Sequence, residues 1–237
     1  MTVLTQHRAL ITGASSGIGK ATALAFAKAG IKVALVSRSR ASLEKVAEAT
    51  GGLATVYPLD LSVLDQVKGE MSKIADEFQP TLLVNNAGMG YTGNLLETSL
   101  EDWQQVIDLN LTSVFQCIQA VLPGMRQRRQ GMIINVTSIA GHQAFPGWGA
   151  YSVSKAGLIS LTKVLAVEER ANGIRVVNIC PGSVNTPLWD TDTVQADFDR
   201  SQMLTPEAIA QSILHAALLP PQAVIEELIV MPSAGAL

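Results

Sequence analysis

The sequence predicts a doubly wound α/β domain, a parallel β-sheet with helices on both faces. Two observations point there. Short runs rich in Val, Ile and Leu alternate with longer helical patterns along the whole chain. Those runs are near-continuously apolar, as strands are when both sheet faces are covered. No composition break or Pro/Gly/Ser-rich linker divides the 237 residues, so a single domain over 1–237 is expected.

Arg8-Ala9-Leu10-Ile11-Thr12 is the first strand. Lys20 to Lys28 follows as a helix rich in Ala, closed by Gly30. Lys32 to Val36 is the second strand. The helix Ser42 to Ala49 places Leu43, Val46 and Ala47 on one face, with Ser42 as its N-cap. A weaker strand, Ala54 to Leu59, leads to a helix over Ser62 to Phe78. Further strands are expected at Thr81 to Val84, Gly131 to Val136, Arg175 to Cys180 and Ile225 to Met231.

Composition narrows the function. Apolar residues make up 48% and charged residues 16%, which excludes disorder. Lys+Arg is 17 against Asp+Glu 20, a formal net charge of −3, so no nucleic-acid partner is expected. There is no run of 18 apolar residues and the first eight residues lack a basic-then-apolar pattern, so neither a membrane span nor a leader is expected. Cys117 and Cys180 lie in apolar patterns and read as buried thiols of a reducing, cytoplasmic compartment. No His/Cys/carboxylate cluster suggests a metal. His142 gets no chemical role and reads as a hydrogen-bonded structural residue.

Thr12-Gly13-Ala14-Ser15-Ser16-Gly17-Ile18-Gly19 joins the first strand to the first helix. Glycine permits a tight turn and close approach of a pyrophosphate, and the helix start offers unpaired N–H groups. The spacing is Gly-x3-Gly-x-Gly, and the loop lacks the Gly-Lys-Ser/Thr ending of a P-loop. A plain structural turn is the competing reading. At the end of the second strand stand Ser37, Arg38, Ser39 and Arg40, with no acidic residue before Glu44. Arginine suits a 2′-phosphate, so NADP(H) is favoured over NAD(H), unless these are solvated surface arginines. Asp60 either accepts from an adenine amino group or caps the helix near Ser62.

Ser138 follows a buried strand, at the strand ends that border the ligand crevice of such sheets. Tyr151 and Lys155 share a helix face. The ammonium is expected to favour the phenolate and lower the tyrosine pKa from about 10, making it a general acid/base. An ordinary helix surface pair is the alternative. Asn110 is a poor mid-helix residue, and either a local helix break or a solvent-facing side chain accounts for it.

Together, Thr12-Gly13-x3-Gly17-x-Gly19, Asn85-Asn86-Ala87-Gly88, Asn110, Ser138, Tyr151-x3-Lys155 and Pro181-Gly182-x3-Thr186 resemble the short-chain dehydrogenase/reductase family in order and spacing. The resemblance runs from about Arg8 to the final strand. It implies a Rossmann-like, seven-stranded sheet, a nicotinamide cofactor and hydride exchange at a carbonyl or alcohol carbon. By the same resemblance Tyr151 is the proton donor and Lys155 lowers its pKa and holds the nicotinamide ribose. Ser138 polarises the carbonyl, and Asn110 anchors a water that links Lys155 to solvent. Cofactor contacts are implied at Gly13, Ser15, Ser16, Gly17, Ile18, Gly19, Ser37, Arg38, Asp60 and Leu61. Asn86, Ala87 and Gly88 line the adenosine-ribose side, and Pro181, Gly182, Val184 and Thr186 meet the nicotinamide end. The resemblance also implies a homodimer or homotetramer.

Substrate choice is expected in Met89 to Tyr91, His142 to Trp148 and 187–204. The last is a lid with an apolar inner side (Leu188, Trp189, Phe198) or a plain surface excursion. The partner is a small-molecule carbonyl or alcohol. The ending Glu226-Glu227-Leu228-Ile229-Val230-Met231-Pro232-Ser233-Ala234-Gly235 departs from the Thr-Gly-x4-Val-Asp-Gly-Gly tail usual in 3-oxoacyl-[acyl-carrier-protein] reductases. That departure weakens this assignment, which stays as one alternative. A non-catalytic NADP(H)-sensing module is the other.

Overall fold

A computed structural model of the chain describes residues 7–196 and 199–235. Its strands are β1 (Arg8–Thr12), β2 (Lys32–Ser37), β3 (Ala54–Pro58), β4 (Leu82–Asn85), β5 (Gly131–Val136), β6 (Ile174–Pro181) and β7 (Glu227–Val230). They form one parallel sheet in the order β3-β2-β1-β4-β5-β6-β7. The strand order reverses between β1 and β4, where sheets of this kind open a crevice at the strand carboxyl ends. Every expected strand is present, with ends moved by one or two residues at most.

Alternate side chains of each strand enter opposite cores, which is why the runs are apolar throughout. Ala9 and Ile11, Val33 and Leu35, and Val177 and Ile179 face a core shared with Phe26, Leu43 and Ile213. These last come from α1 (Gly17–Lys28), α2 (Arg40–Glu48) and α7 (Pro206–Ala217). Leu10, Leu83, Ile133 and Val176 face the other core. It is closed by α3 (Leu64–Phe78), α5 (Ser113–Arg128) and α6 (Gly149–Glu169). Cys117 is buried there, and Cys180 lies buried in β6.

Local details differ from expectation for identifiable reasons. Helix α1 begins at Gly17, so the second half of the glycine loop is already its first turn. The cap of α2 is Ser39, whose extended backbone lets its hydroxyl accept the Ser42 N–H at 3.2 Å, in place of Ser42 itself. Helix α4 (Leu100–Ile107) runs through a π-helical turn, Asp108–Thr112, into α5. This stretch of 29 residues, Leu100–Arg128, is long and apolar enough by composition to cross a bilayer. Here Val114, Ile118, Val121 and Met125 are spent on the sheet core. The helix break expected at Asn110 is that π-helical turn. Asn110 within it is fully buried, which removes the solvent-facing alternative.

Candidate active site

The glycine loop is held against β4. The Thr12 hydroxyl accepts the N–H groups of Asn86 and Ala87 at 3.0 and 3.1 Å. Asn86 Nδ2 donates to the carbonyls of Thr12 and Gly13 at 3.0 and 3.3 Å. Gly13 has φ +64°, and a Cβ there would lie 2.8 Å from Asn86 Nδ2. Gly17, at φ +50°, brings the loop against Thr186, whose Cβ would be 3.2 Å from an added Cβ. The glycine loop and the segment after β6 thus meet across the crevice. Helix α1 starts without a side-chain cap bond on Ser16 and without an acidic residue in its first turn. Its positive end is left open toward the loop.

At the end of β2, the Ser37 hydroxyl is buried with no hydrogen-bond partner among the described residues. Arg38 is exposed beside it. Arg40 instead pairs with Glu44 at 3.8 Å on the surface. Asp60 Oδ1 accepts the Ser62 N–H and hydroxyl at 2.9 and 2.7 Å and so braces the turn ahead of α3. The expected helix cap is not formed, since α3 begins at Leu64 with Val63 as its N-cap and no side-chain cap bond. Leu61 is buried in the core, leaving only its main chain for a ligand.

Ser138, Tyr151 and Lys155 come together. Ser138 stands two residues after β5 and caps a short 3₁₀ turn (Ile139–Gly141), its Oγ accepting the Ala140 N–H at 3.2 Å. It lines the same cavity as the Tyr151 phenol and lies close enough to act on its pKa. Lys155 Nζ lies 5.7 Å from the Tyr151 ring centre and donates to the Val136 carbonyl at 3.2 Å. The expected drop in the Tyr151 pKa is overturned. Burial pushes the phenol above its ordinary 10, the Ser138 hydroxyl pulls it back, and nearby Cys180 pushes it up. Lys155 is itself buried, and burial holds its ammonium down to about 8 against the opposing effect of Cys180. Desolvation outweighs the attraction that the four-residue spacing suggests.

Behind them, Asn110 Nδ2 donates to Ser154 Oγ at 3.1 Å, and Ser154 Oγ donates to the Tyr151 carbonyl at 2.7 Å. A Cβ on Gly88 would be 3.0 Å from Asn110 Oδ1 and 3.5 Å from Lys155 Nζ, so glycine there admits both side chains. Ser154 and the Thr12 brace were not singled out in the sequence. A hydroxyl three residues after Tyr151 on the same helix was the available signal for Ser154.

Ser138 and Tyr151 open on a cavity of about 350 Å3. Ile18, Pro181, Gly182, Val184 and Thr186 line it together with Ile139, Phe145, Pro146, Trp148, Leu188 and Trp189. Trp148 stands edge-on to both Tyr151 and Trp189, with ring centres 5.3 and 5.7 Å apart. From the 187–204 segment, Leu188 and Trp189 reach this cavity. Trp189 Nε1 donates to the Val184 carbonyl at 2.8 Å, and Thr193 Oγ1 to Gly90 O at 2.8 Å. Arg200 donates to Asn185 Oδ1, Asp190 Oδ1 and the Thr186 carbonyl. Phe198 lies outside the described residues.

Comparison with known proteins agrees with this geometry. A family model described as short chain dehydrogenase matches residues 7–196. The chain is 45% identical to a 3-oxoacyl-[acyl-carrier-protein] reductase of Synechocystis sp., over 80% of this chain and 79% of that one. It is 38% identical to a protein of the same name from Thermotoga maritima, over 88% and 89%. An alcohol dehydrogenase from the archaeon Thermococcus sibiricus, solved with 5-hydroxy-NADP, superimposes with a TM-score of 0.86 at 29% identity, covering 96% of this chain and 97% of that one. The chain therefore belongs to the short-chain dehydrogenase/reductase family, oxidoreductases that act on CH–OH or carbonyl groups.

Proposed function

We propose that this oxidoreductase uses NADP(H) to interconvert an uncharged, apolar ketone and its secondary alcohol. The observation that carries the reading is the cavity wall. Ser138 and Tyr151 present their hydroxyls to a space whose lining, among the described residues, includes no Asp, Glu, Lys, Arg or His. A carboxylate on the substrate would lose its hydration there without gaining a partner.

The residues fit a dinucleotide. Close-approach glycines, an uncapped helix start and the partnerless Ser37 hydroxyl lie where a pyrophosphate and an adenosine ribose would be held. Gly13 to Gly19 would hold the pyrophosphate. Asp60, Leu61 and Asn86 to Gly88 would hold the adenosine, and Pro181, Gly182, Val184 and Thr186 the nicotinamide end. Arg38 favours the 2′-phosphate form, in keeping with the NADP analogue bound by the Thermococcus relative.

When bound, the reduced nicotinamide supplies the hydride. Ser138 Oγ accepts the Ala140 N–H, and its proton would turn to the carbonyl oxygen as negative charge builds there. Tyr151 gives the same oxygen its phenolic proton. Lys155 stabilises the phenolate that remains. Asn110 fixes α6 through Ser154 so that both groups stay in place. Residues 187–204 act as the substrate loop, with Leu188 and Trp189 on its inner side. Exposed Phe115, Val153 and Val164 on α5 and α6 support assembly as a homodimer or homotetramer, which light scattering reads directly.

The test compares methyl 4-acetylbenzoate with 4-acetylbenzoate in an NADPH oxidation assay. The neutral ester should exceed the carboxylate in kcat/KM by on the order of 100-fold. Tyr151→Phe should keep NADPH binding and lose most turnover. Equal rates for ester and acid overturn the apolar pocket, and an unchanged Tyr151→Phe overturns the catalytic reading. A second reading, reduction of a 3-oxoacyl thioester, is favoured by the name of the 45% identical relative. Faster turnover of an acetoacetyl thioester than of the ester would establish it.

A further inference from the structure

The departing C-terminal segment and the unassigned His142 meet at one oxygen atom. Glu227, on the edge strand β7, is paired in register with Asn178 of β6. Its Oε1 lies 2.8 Å from His142 Nε2 and 2.6 Å from Asn178 Nδ2. A carboxylate oxygen only accepts, so both nitrogens donate to it. Asn178 is thereby oriented with Oδ1 toward Thr137, whose hydroxyl it accepts at 2.6 Å. Asn178 and Thr137 are both buried.

Thr137 and His142 flank the Ser138 turn. Between them lies a three-residue 3₁₀ helix, held internally by Gly141 N–H to Ser138 O and His142 N–H to Ile139 O, both 2.9 Å. So short a helix has little stability of its own. We propose that Glu227 is a positioning residue for Ser138, one carboxylate fixing the turn at both ends: at His142 directly, and at Thr137 through Asn178. The proposal rests on Ser138 being the donor to the substrate oxygen. Losing Glu227 leaves Asn178 Nδ2 as a buried donor without its acceptor, frees the amide to rotate, releases the His142 ring and loosens the Thr137 side chain, whose N–H and hydroxyl still reach the Ile179 carbonyl at 2.8 and 3.2 Å. The adjacent Glu226 points elsewhere, to Arg170 at 3.2 Å on the surface, and serves as a control.

The test uses the whole enzyme with Glu227→Ala, Glu227→Gln, His142→Ala and Glu226→Ala. Two readouts are taken: amide hydrogen exchange in the peptide covering 138–143, and kcat with the NADPH dissociation constant. Glu227→Ala should speed exchange in that peptide and cut kcat by about 10- to 100-fold while leaving NADPH affinity nearly unchanged. Glu227→Gln keeps an oxygen able to accept both bonds and should recover most of the loss. Glu226→Ala should behave as the wild type. His142→Ala breaks one of the two bonds and carries the test should Glu227→Ala fail to fold. Wild-type exchange and kcat in Glu227→Ala would overturn the proposal, as would a Gln variant no better than Ala. If the wild type reduces no ketone, the functional reading falls, and exchange alone decides whether Glu227 holds the turn.

Discussion

Asn110 and Met89 pair as two strand residues would, although one partner is a side chain. Asn110 Oδ1 accepts the Met89 N–H at 2.8 Å, and Asn110 Nδ2 donates to the Met89 carbonyl at 2.9 Å. The same Nδ2 reaches Ser154. One buried amide therefore joins the loop after β4, the π-helical turn and the helix that carries Tyr151 and Lys155. Asn110→Leu keeps the volume and removes every bond. With each orphaned buried group costing about 1–3 kcal/mol, we expect a loss of about 3 kcal/mol in urea unfolding. Turnover should fall with it. A loss under about 1 kcal/mol would show that the amide is not needed to hold these elements together.

Lys155 gives the protein a defined pH response. Its folded-state pKa, about 8, is below the ordinary 10.5, so between these values the unfolded chain binds more protons than the folded one. Stability attributable to this group then rises with pH across that window, and the cost is fully present below pH 8. Lys155→Met should raise the unfolding free energy at pH 7, by at most about 3 kcal/mol, while abolishing turnover. The gain should shrink as pH approaches 10. Urea titrations at pH 7 and 9.5 decide it. A variant less stable than wild type at pH 7 would mean that the bond to Val136 outweighs desolvation.

Much of this was legible in the sequence. The sheet shows itself because apolar runs of strand length recur between helical patterns, and the glycine loop stands out by its place between the first strand and the first helix, though its spacing alone also suits a plain structural turn. Ser138, Tyr151 and Lys155 are brought together as expected. Their electrostatics were not legible. Spacing places Tyr151 and Lys155 on one helix face, but burial depends on Val136, Cys180 and the cavity walls, which arrive from separate strands and loops. The choice between Ser39 and Ser42 as a cap depends on backbone angles that either serine tolerates. Glu227 escapes notice because its partners, at positions 142 and 178, are set by the β6–β7 register.

Arg38 should govern cofactor choice. It is exposed at the end of β2, next to the partnerless Ser37 hydroxyl, and makes no ion pair among the described residues, whereas Arg40 is engaged with Glu44. Arg38→Asp exchanges a phosphate partner for a ribose-hydroxyl acceptor and adds repulsion toward a 2′-phosphate. The ratio of kcat/KM for NADPH over NADH should drop by on the order of 100-fold, with ketone KM unchanged. The same substitution at Arg40 should move the ratio far less. An unchanged ratio in Arg38→Asp would remove the 2′-phosphate role.

Two helical glycines separate the demands of the site from those of the helix. Alanine is favoured over glycine inside a helix by about 1 kcal/mol. Gly69, within α3, has nothing within 4 Å of an added Cβ, so Gly69→Ala should stabilise the protein by roughly that amount. Gly19, in the first turn of α1, is different. A Cβ there would overlap the Gly13 carbonyl oxygen and lie 2.5 Å from Asn86 Nδ2, two groups already bound to each other. Neither is the far end of a flexible side chain, so the loop itself must shift. Overpacking of this kind costs about 1–3 kcal/mol and outweighs the helical gain. Gly19→Ala should therefore lower the melting temperature and weaken NADPH binding in fluorescence titration, while Gly69→Ala raises the former and leaves the latter alone. If both glycines respond alike, the close approach of Gly19 to Gly13 and Asn86 is not what shapes the loop.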